Sequence, residues 1–180
     1  MEVTVKKSTF RTVELAYIAL GAALISVCAW ITVPLTVPFT MQLFAVFFVL
    51  TALGGRNGTI AIAVYLLLGA VGCPVFAEFT GGFGALVGMT GGYLIGMLLI
   101  GLIYWLALSI LPAGIWTELG AFAVGLLLCY TFGTVWFTVV NGQKTFGAAL
   151  MICVVPFILP DILKLALATV VGRKLRKLIP

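Results

Sequence analysis

The fold is decided by residues 15–55, which read LAYIALGAALISVCAWITVPLTVPFTMQLFAVFFVLTALGG and contain no charged side chain. These 41 residues are too many for one membrane-spanning helix, which needs about 20, and are enough for two. Pro34 and Pro38 lie in the middle of the stretch, where a helix is difficult to continue and the chain must reverse. We therefore predict two helices, over about 12–33 and 41–54.

The composition excludes a water-soluble protein. The 180 residues are 63% hydrophobic and 8% charged, with a mean hydropathy of +1.29, whereas a soluble domain is about 25% charged. Because so little polar surface cannot cover a soluble globule, a cytosolic enzyme, a disordered chain and a disulfide-stapled secreted module are all excluded. We predict an all-α, multi-pass integral membrane protein, with the lipid bilayer as its solvent.

Turns and uncharged runs place the remaining helices. The polar turn Gly54–Gly58 precedes a helix over about 58–72, which ends before Pro74. The uncharged run 79–117 then divides into a glycine-rich part and one clean span. Backbone that is irregular at membrane depth must be buried in protein or line a cavity, and we expect this of the glycine-rich segment. The remaining predictions are a glycine-rich segment over 74–92 and helices over about 92–111, 117–140 and 146–173, which gives one domain of six helices over 1–180.

Basic residues at the two ends of the chain predict its orientation. Seven of the ten Lys and Arg residues lie there: Lys6, Lys7, Arg11, Arg173, Lys174, Arg176 and Lys177. Such residues are enriched in cytoplasmic segments, and an even number of spans puts both ends on one side. We therefore predict that both termini are cytoplasmic and that the glycine-rich segment lies outside. Positive charge concentrated at the two ends does not indicate a nucleic-acid partner.

Two charged residues fall within the last predicted helix. Asp161 and Lys164 are three positions apart and share one helix face, and Asp161 lies about 18 Å along the helix from Arg173. Near the bilayer midplane each would cost about 2.5–3.5 kcal/mol if unpaired. An ion pair that only neutralises itself is one interpretation, and a polar ligand site facing the bundle interior is the one we favour. Pro156 and Pro160 remove helix N–H donors nearby and free backbone carbonyls.

Polar and aromatic residues in the predicted outer loops add to this candidate site. Packing is the alternative explanation for the aromatic ones. At Gly91 and Gly92 backbone N–H groups can approach a ligand at a helix start. The candidates are Thr40, Gln42, Phe76, Glu78, Thr90 and Tyr93.

The sequence also excludes several chemistries. It contains no histidine, its four cysteines form no C-x-x-C pair, and it has no phosphate-binding Gly-x-x-x-x-Gly-Lys-Ser/Thr loop. We therefore expect no catalytic residue, no metal site and no cofactor, and any energy source must belong to a partner. A membrane enzyme would need a nucleophile–base pair or a metal cluster, and a purely structural subunit would leave the buried charges unexplained.

Four segments, in order along the chain, resemble BioY, the family of biotin-specific substrate-binding (S) components of energy-coupling factor (ECF) transporters. They are VPFTMQ at 37–42, GGRNG at 54–58, GCPVFA at 72–77 with GMTGGY at 88–93, and PFILPD at 156–161 with Lys164. The resemblance as a whole covers about residues 12–172. The resemblance implies an S-component-type bundle in a bacterial-type plasma membrane. Such a protein binds biotin from outside and mediates its uptake as the substrate-specific component of an ATP-driven ECF transporter.

The resemblance also implies roles for the candidate residues. Asp161 suits the ureido N–H groups of biotin, and Lys164 suits the ureido oxygen or the carboxylate. Phe76 and Tyr93 suit the thiophane ring and alkyl chain. Biotin is then a transported ligand and not a cofactor.

The partners implied by the resemblance are a membrane scaffold (T) component and two cytoplasmic ATPases. Ala19 and Ala23 of the first helix form a small-residue face that another helix can approach closely, and the scaffold is the expected partner. Packing inside the bundle is the alternative role for this face. The alternatives for the function are an S component for a different vitamin and a membrane subunit without a transport role.

Overall fold

The computed structural model describes residues 12–35, 37–142 and 145–178. The basic residues Lys6, Lys7 and Arg11 lie outside the described residues. The elements, in chain order, are α1 Thr12–Trp30, β1 Thr32–Val33, β2 Phe39–Thr40, α2 Gln42–Ala70, a 3₁₀ turn Ala77–Phe79, α3 Phe83–Val87, α4 Gly91–Ile110, α5 Ile115–Asn141, α6 Phe146–Cys153 and α7 Val155–Arg176.

Five of these helices, α1, α2, α4, α5 and α7, are long and apolar enough to cross a membrane. Each has at least 19 residues, which is about the length that a bilayer core requires, although the 29 residues of α2 are divided at Gly54. The prediction of a helical, multi-pass membrane protein is therefore confirmed.

Helix α2 folds back on itself at a single residue. Gly54 has φ 81° and ψ 167°, a backbone conformation that glycine adopts without steric cost. The side chain of Gln42, before this point, lies 2.9 Å from the hydroxyl of Tyr65 after it, whereas 23 residues of straight helix would span about 35 Å. A Cβ atom at Gly58 would lie 2.8 Å from the Cα of Leu50, so the two halves of α2 are in direct contact.

The sequence predicted helices over 41–54 and 58–72 separated by a five-residue turn. In the structure residues 55–58 are helical and the reversal occurs at Gly54 alone. The difference arises because one glycine at positive φ is enough to reverse the chain.

The connection between α1 and α2 contains the two strands, which the sequence analysis did not predict. They pair antiparallel, with Thr32 opposite Thr40 and Val33 opposite Phe39. Helix α1 accordingly ends at Trp30, three residues before the predicted end at residue 33. The strand pairing gives hydrogen-bond partners to backbone N–H and C=O groups that an irregular loop would leave unpaired at the end of the bundle.

The predicted last helix, 146–173, is divided in the structure. Helix α6 ends at Cys153 and α7 begins at Val155, with Val154 between them at φ −126° and ψ −54°. Pro156 lies in the first turn of α7, where a helix needs no N–H donor, while Pro160 lies inside α7. The break therefore falls ahead of both prolines, and α7 continues to Arg176.

The bundle core is aromatic. Helix α4 packs along α5, and α2 packs against α1, α4 and α7. The ring of Phe122 in α5 stacks on Tyr104 of α4 at 4.4 Å between centroids and meets Phe47 of α2 edge-on at 5.1 Å. Each such pair contributes about 0.5–1.5 kcal/mol beyond its buried area, so these three rings join α2, α4 and α5.

Ion pairs between a buried carboxylate and two partly exposed arginines join α5 to α7 at one end of the bundle. Glu118, in the first turn of α5, is 1% exposed, and its carboxylate lies 2.9 Å from Nε of Arg173 and 3.5 Å from Nη1 of Arg176. Glu118 was not among the residues predicted from the sequence. This contact attaches the last turn of α7 to the first turn of α5. It lies about 18 Å along α7 from Asp161.

Candidate functional site: a cavity beside a buried ion pair

A cavity of about 340 Å³ opens at the other end of the bundle. It lies between β2, α2, the 74–90 segment, α4, α5 and α7, and its volume is within the range of small-molecule sites. All eight ligand-site residues predicted from the sequence line this one cavity: Thr40, Gln42, Phe76, Glu78, Thr90, Tyr93, Asp161 and Lys164. The structure therefore brings together residues from four separate parts of the chain.

The charged pair lies against the wall of this cavity. Nζ of Lys164 is 2.8 Å from Oδ1 of Asp161, and the two residues are 6% and 2% exposed. Their three-residue spacing on α7 permits the contact. The pair has no net formal charge. Its carboxylate can still accept hydrogen bonds, and its ammonium can donate them, to a molecule that enters the cavity.

Two residues that the sequence analysis missed complete the surroundings of the pair. The hydroxyl of Tyr130, in α5, donates a hydrogen bond of 2.6 Å to Oδ2 of Asp161. The ring of Phe39 lies 4.0 Å from Nζ of Lys164, measured to the centroid, where a ring face attracts an ammonium group. Phe39 also stacks on Phe157 at 6.0 Å. Both oxygens of the Asp161 carboxylate are thus held, Oδ1 by Lys164 of α7 and Oδ2 by Tyr130 of α5.

Gln42 is held by a neighbour behind the cavity wall. Its Nε2 donates to the hydroxyl of Tyr65 at 2.9 Å, and Gln42 is 3% exposed. Tyr65 is itself packed edge-on against Phe76, with ring centroids 5.4 Å apart. Phe76 therefore both lines the cavity and supports the tyrosine that orients Gln42.

The other predicted polar residues are engaged mainly with the protein. Oγ1 of Thr40 accepts a hydrogen bond of 3.3 Å from the backbone N–H of Gln42. The carbonyl of Thr90 accepts bonds from the backbone N–H groups of Tyr93 and Leu94 at the start of α4. The hydroxyl of Tyr93 lies 3.0 Å from Oγ1 of Thr134 in α5. These residues shape the cavity and fix the element ends around it.

Glu78 differs from the others because it is exposed and lies in the segment over the cavity. It has φ 57° and ψ 29°, the left-handed region that few residues other than glycine adopt. Among the described residues no hydrogen bond or ion pair engages its carboxylate.

A sequence signal existed for one of the missed residues. Tyr130 is one of few polar groups in the middle of an otherwise apolar span, and a buried hydroxyl requires a partner. Phe39 carried no comparable signal, because its approach to Lys164 depends on how the strand pair lies over α7.

The apolar walls are completed by Leu43, Leu94, Met97 and Phe157. Within the described chain no group of His, Cys, Asp and Glu is arranged to hold a metal ion.

Ala19 and Ala23 lie away from the cavity, on the surface of α1. Both are exposed, whereas Gly21 and Ala22 on the adjacent face are buried. Against the described residues, the face formed by Ala19 and Ala23 therefore stays largely exposed.

The chain is similar to proteins of known family. The sequence model of the BioY family matches residues 3–180. The biotin transporter BioY of Thermotoga maritima is 41% identical over 87% of this chain and 91% of its own length. The biotin transporter BioY2 of Lactococcus lactis subsp. cremoris is 39% identical over 88% of this chain and 87% of its own.

A solved structure is similar as well. The crystal structure of the S-component for biotin from an ECF-type ABC transporter superposes with a TM-score of 0.82, at 26% identity, over 94% of this chain and 95% of that one. The three comparisons agree with one another. The family match extends over nearly the whole chain, relatives are about 40% identical, and the solved structure has a similar fold. The chain belongs to the BioY family.

Proposed function

We propose that this chain binds biotin in the cavity and acts as the substrate-binding component of an ECF transporter, and not as an enzyme. The observation that carries the proposal is the buried Asp161–Lys164 pair on the wall of a small, mostly apolar cavity. Burying a charged pair at membrane depth costs free energy. Binding of a polar ligand would explain why this chain has such a pair. Relatives named as biotin transporters favour biotin over another vitamin.

The cavity suits the two chemical halves of biotin. The ureido ring offers two N–H donors and one carbonyl, and a carboxylate such as Asp161 is a strong acceptor for such donors. The ammonium of Lys164 has three N–H donors, of which one is used by Asp161, and it can serve the ureido oxygen. The apolar walls suit the thiophane ring and alkyl chain, which leaves the valerate end toward the loops.

The proposed topology has six membrane crossings and cytoplasmic termini. The reversal at Gly54 divides α2 into two antiparallel halves, which supports six crossings from five long helices. The C-terminal basic residues Arg173 and Lys174 lie in the last turn of α7, and such residues favour the cytoplasmic side. The cavity, at the opposite end of α7, then opens outward.

The proposed partners are a membrane scaffold component and two cytoplasmic ATPases. The sequence contains no phosphate-binding loop, so a pump built on this chain needs its nucleotide site elsewhere. Ala19 and Ala23 form the exposed small-residue face on which a scaffold helix can pack closely.

The test is biotin binding by the purified protein and its Asp161→Asn variant. Native mass spectrometry identifies any small molecule that co-purifies, and calorimetric titration measures its affinity. We expect biotin, with an affinity reduced about 10- to 150-fold in Asp161→Asn, since hydrogen bonds to charged groups contribute about 1.5–3 kcal/mol.

The matched control is Glu118→Gln, which also neutralises a buried, ion-paired carboxylate but at the other end of the bundle. It should leave biotin affinity unchanged. A different co-purified vitamin, or equal biotin affinity in Asp161→Asn and the unchanged protein, would contradict the proposal.

A further inference from the structure

The charges that line the cavity do not balance. Among the described lining residues three are charged, Glu78, Asp161 and Lys164. Asp161 and Lys164 neutralise each other at 2.8 Å. Glu78 therefore leaves the cavity with a formal charge of −1, although the ligand assigned to it carries a carboxylate.

The position of Glu78 brings it to the tail of the ligand and not to its head. With the ureido ring at the buried Asp161, the carboxyl end of the alkyl chain extends toward the exposed 74–90 segment. Glu78 is the acid of that segment and is exposed. A free carboxylate on the tail is then repelled by Glu78, whereas a neutral or cationic group in the same place is not.

The backbone around Glu78 is held in a conformation that ordinary residues avoid. Glu78 and Phe79 are both at φ 57°, and consecutive non-glycine residues in the left-handed region are strained. A loop closed by the bonds from Thr80 N to Ala77 O at 3.1 Å and from Phe76 N to Thr80 O at 3.0 Å maintains them. Strain of this kind is retained mainly at functional sites.

Aromatic rings adjoin the same position. Phe79, the next residue, is 63% exposed and stacks on Trp30 at 5.0 Å between centroids. Exposed rings beside a carboxylate are the groups that recognise an ammonium ion. The surface next to Glu78 thus has the composition of a site for a cationic tail that projects out of the cavity.

We propose that the cavity also accepts biotin whose carboxyl group is joined to an amine through an amide, and that Glu78 sets the specificity for the tail. Glu78 disfavours the free carboxylate of biotin and favours a tail that ends in a cation. The inference rests on the proposed function, because it takes the ureido head to bind at Asp161.

Three ligands with one head and different tail charges test the proposal. They are biotin (anionic), biotinamide (neutral) and N-(2-aminoethyl)biotinamide (cationic), titrated calorimetrically into the unchanged protein and the Glu78→Gln variant. Glu14→Gln is the matched control, since it removes one acid of α1 outside the cavity lining. Exposed ion pairs typically change affinity by about two- to fivefold.

In Glu78→Gln we expect tighter binding of biotin and weaker binding of the cationic amide, each by about two- to fivefold, with biotinamide unchanged. Both shifts should diminish in about 0.5 M salt because the charges are exposed, and Glu14→Gln should show neither.

Equal shifts for all three ligands would overturn the inference, since Glu78 would then meet the shared head, and so would no shift for any. Failure of both amides to bind while biotin binds would overturn it and leave the proposed function standing. Failure of biotin itself to bind the unchanged protein would instead refute the proposed function.

Discussion

The hydroxyl of Tyr130 lies 2.6 Å from Oδ2 of Asp161, the carboxylate oxygen opposite the one that Lys164 contacts. The aspartate is thereby held by a neutral donor from α5 and by a charged donor from its own helix. Two fixed donors leave the carboxylate little rotational freedom, so its remaining lone pairs have a defined direction. We therefore propose that Tyr130 is a positioning residue for a ligand that meets Asp161.

Replacing Tyr130 with Phe should weaken biotin binding without unfolding the protein. The change removes one hydrogen bond to a charged group, a contribution of about 1.5–3 kcal/mol, and keeps the ring. We expect affinity to fall by about tenfold or more in calorimetric titration. Tyr17→Phe, on α1 and outside the cavity lining, is the control and should bind as the unchanged protein does. Equal affinity in Tyr130→Phe would show that the bond does not position the carboxylate.

Lys164→Met separates the stability of the ion pair from its role in binding. It leaves the carboxylate of Asp161 buried without its cation, and breaking a buried pair costs about 3–5 kcal/mol. We expect a lower unfolding temperature in detergent and no biotin binding.

The double variant Asp161→Asn with Lys164→Met removes both charges and should recover most of the lost stability, because no uncompensated charge is then left buried in the bundle. It should still fail to bind biotin. Wild-type affinity in the double variant would mean that the pair serves only the fold.

A bulky residue on the exposed face of α1 should separate partner docking from ligand binding. Ala23→Trp, or Ala19→Trp, places an indole where a scaffold helix is proposed to approach. We expect co-purification with the scaffold and ATPases to be lost while biotin affinity is retained. Leu127→Trp, at an exposed position of α5, is the control and should co-purify normally. Retained co-purification of the alanine variants would place the contact elsewhere.

The proposed orientation can be tested by single-cysteine labelling in a background without the four native cysteines. Thr80→Cys lies in the exposed segment over the cavity, and Ala113→Cys lies in the exposed connection between α4 and α5. A membrane-impermeant reagent added to intact cells should label only the cysteine at position 80. Labelling of position 113 alone would invert the topology.

The residues that line the cavity were more predictable than the boundaries of the helices. Helical spacing was enough to predict that Asp161 and Lys164 share a face, and the burial cost of charge was enough to predict a cavity beside them. The alternation of spans then placed Gln42 and Tyr93 at the same end of the bundle. These inferences depend on residue spacing and polarity, which can be read directly from a sequence.

The remainder depends on packing. Tyr130 reaches Asp161 only because α5 is rotated to present that face, and the rotation is set by aromatic contacts such as Tyr104 with Phe122. The break at Val154 lies beside no glycine and two residues before Pro156, so local sequence rules predicted one continuous helix over 146–173 with both prolines inside it. Local propensity is weak where tertiary contacts decide the geometry.

Because the chain reverses at Gly54 alone, the number of residues at this turn determines which side chains meet at the opposite end of the bundle. With one residue making the turn, α2 has no spare loop to absorb an insertion. One added residue after Gly54 would rotate the second half of α2 by about 100° and shift it by about 1.5 Å, which would carry Tyr65 away from Gln42. Insertions and deletions at this turn should therefore damage the cavity as directly as substitutions within it.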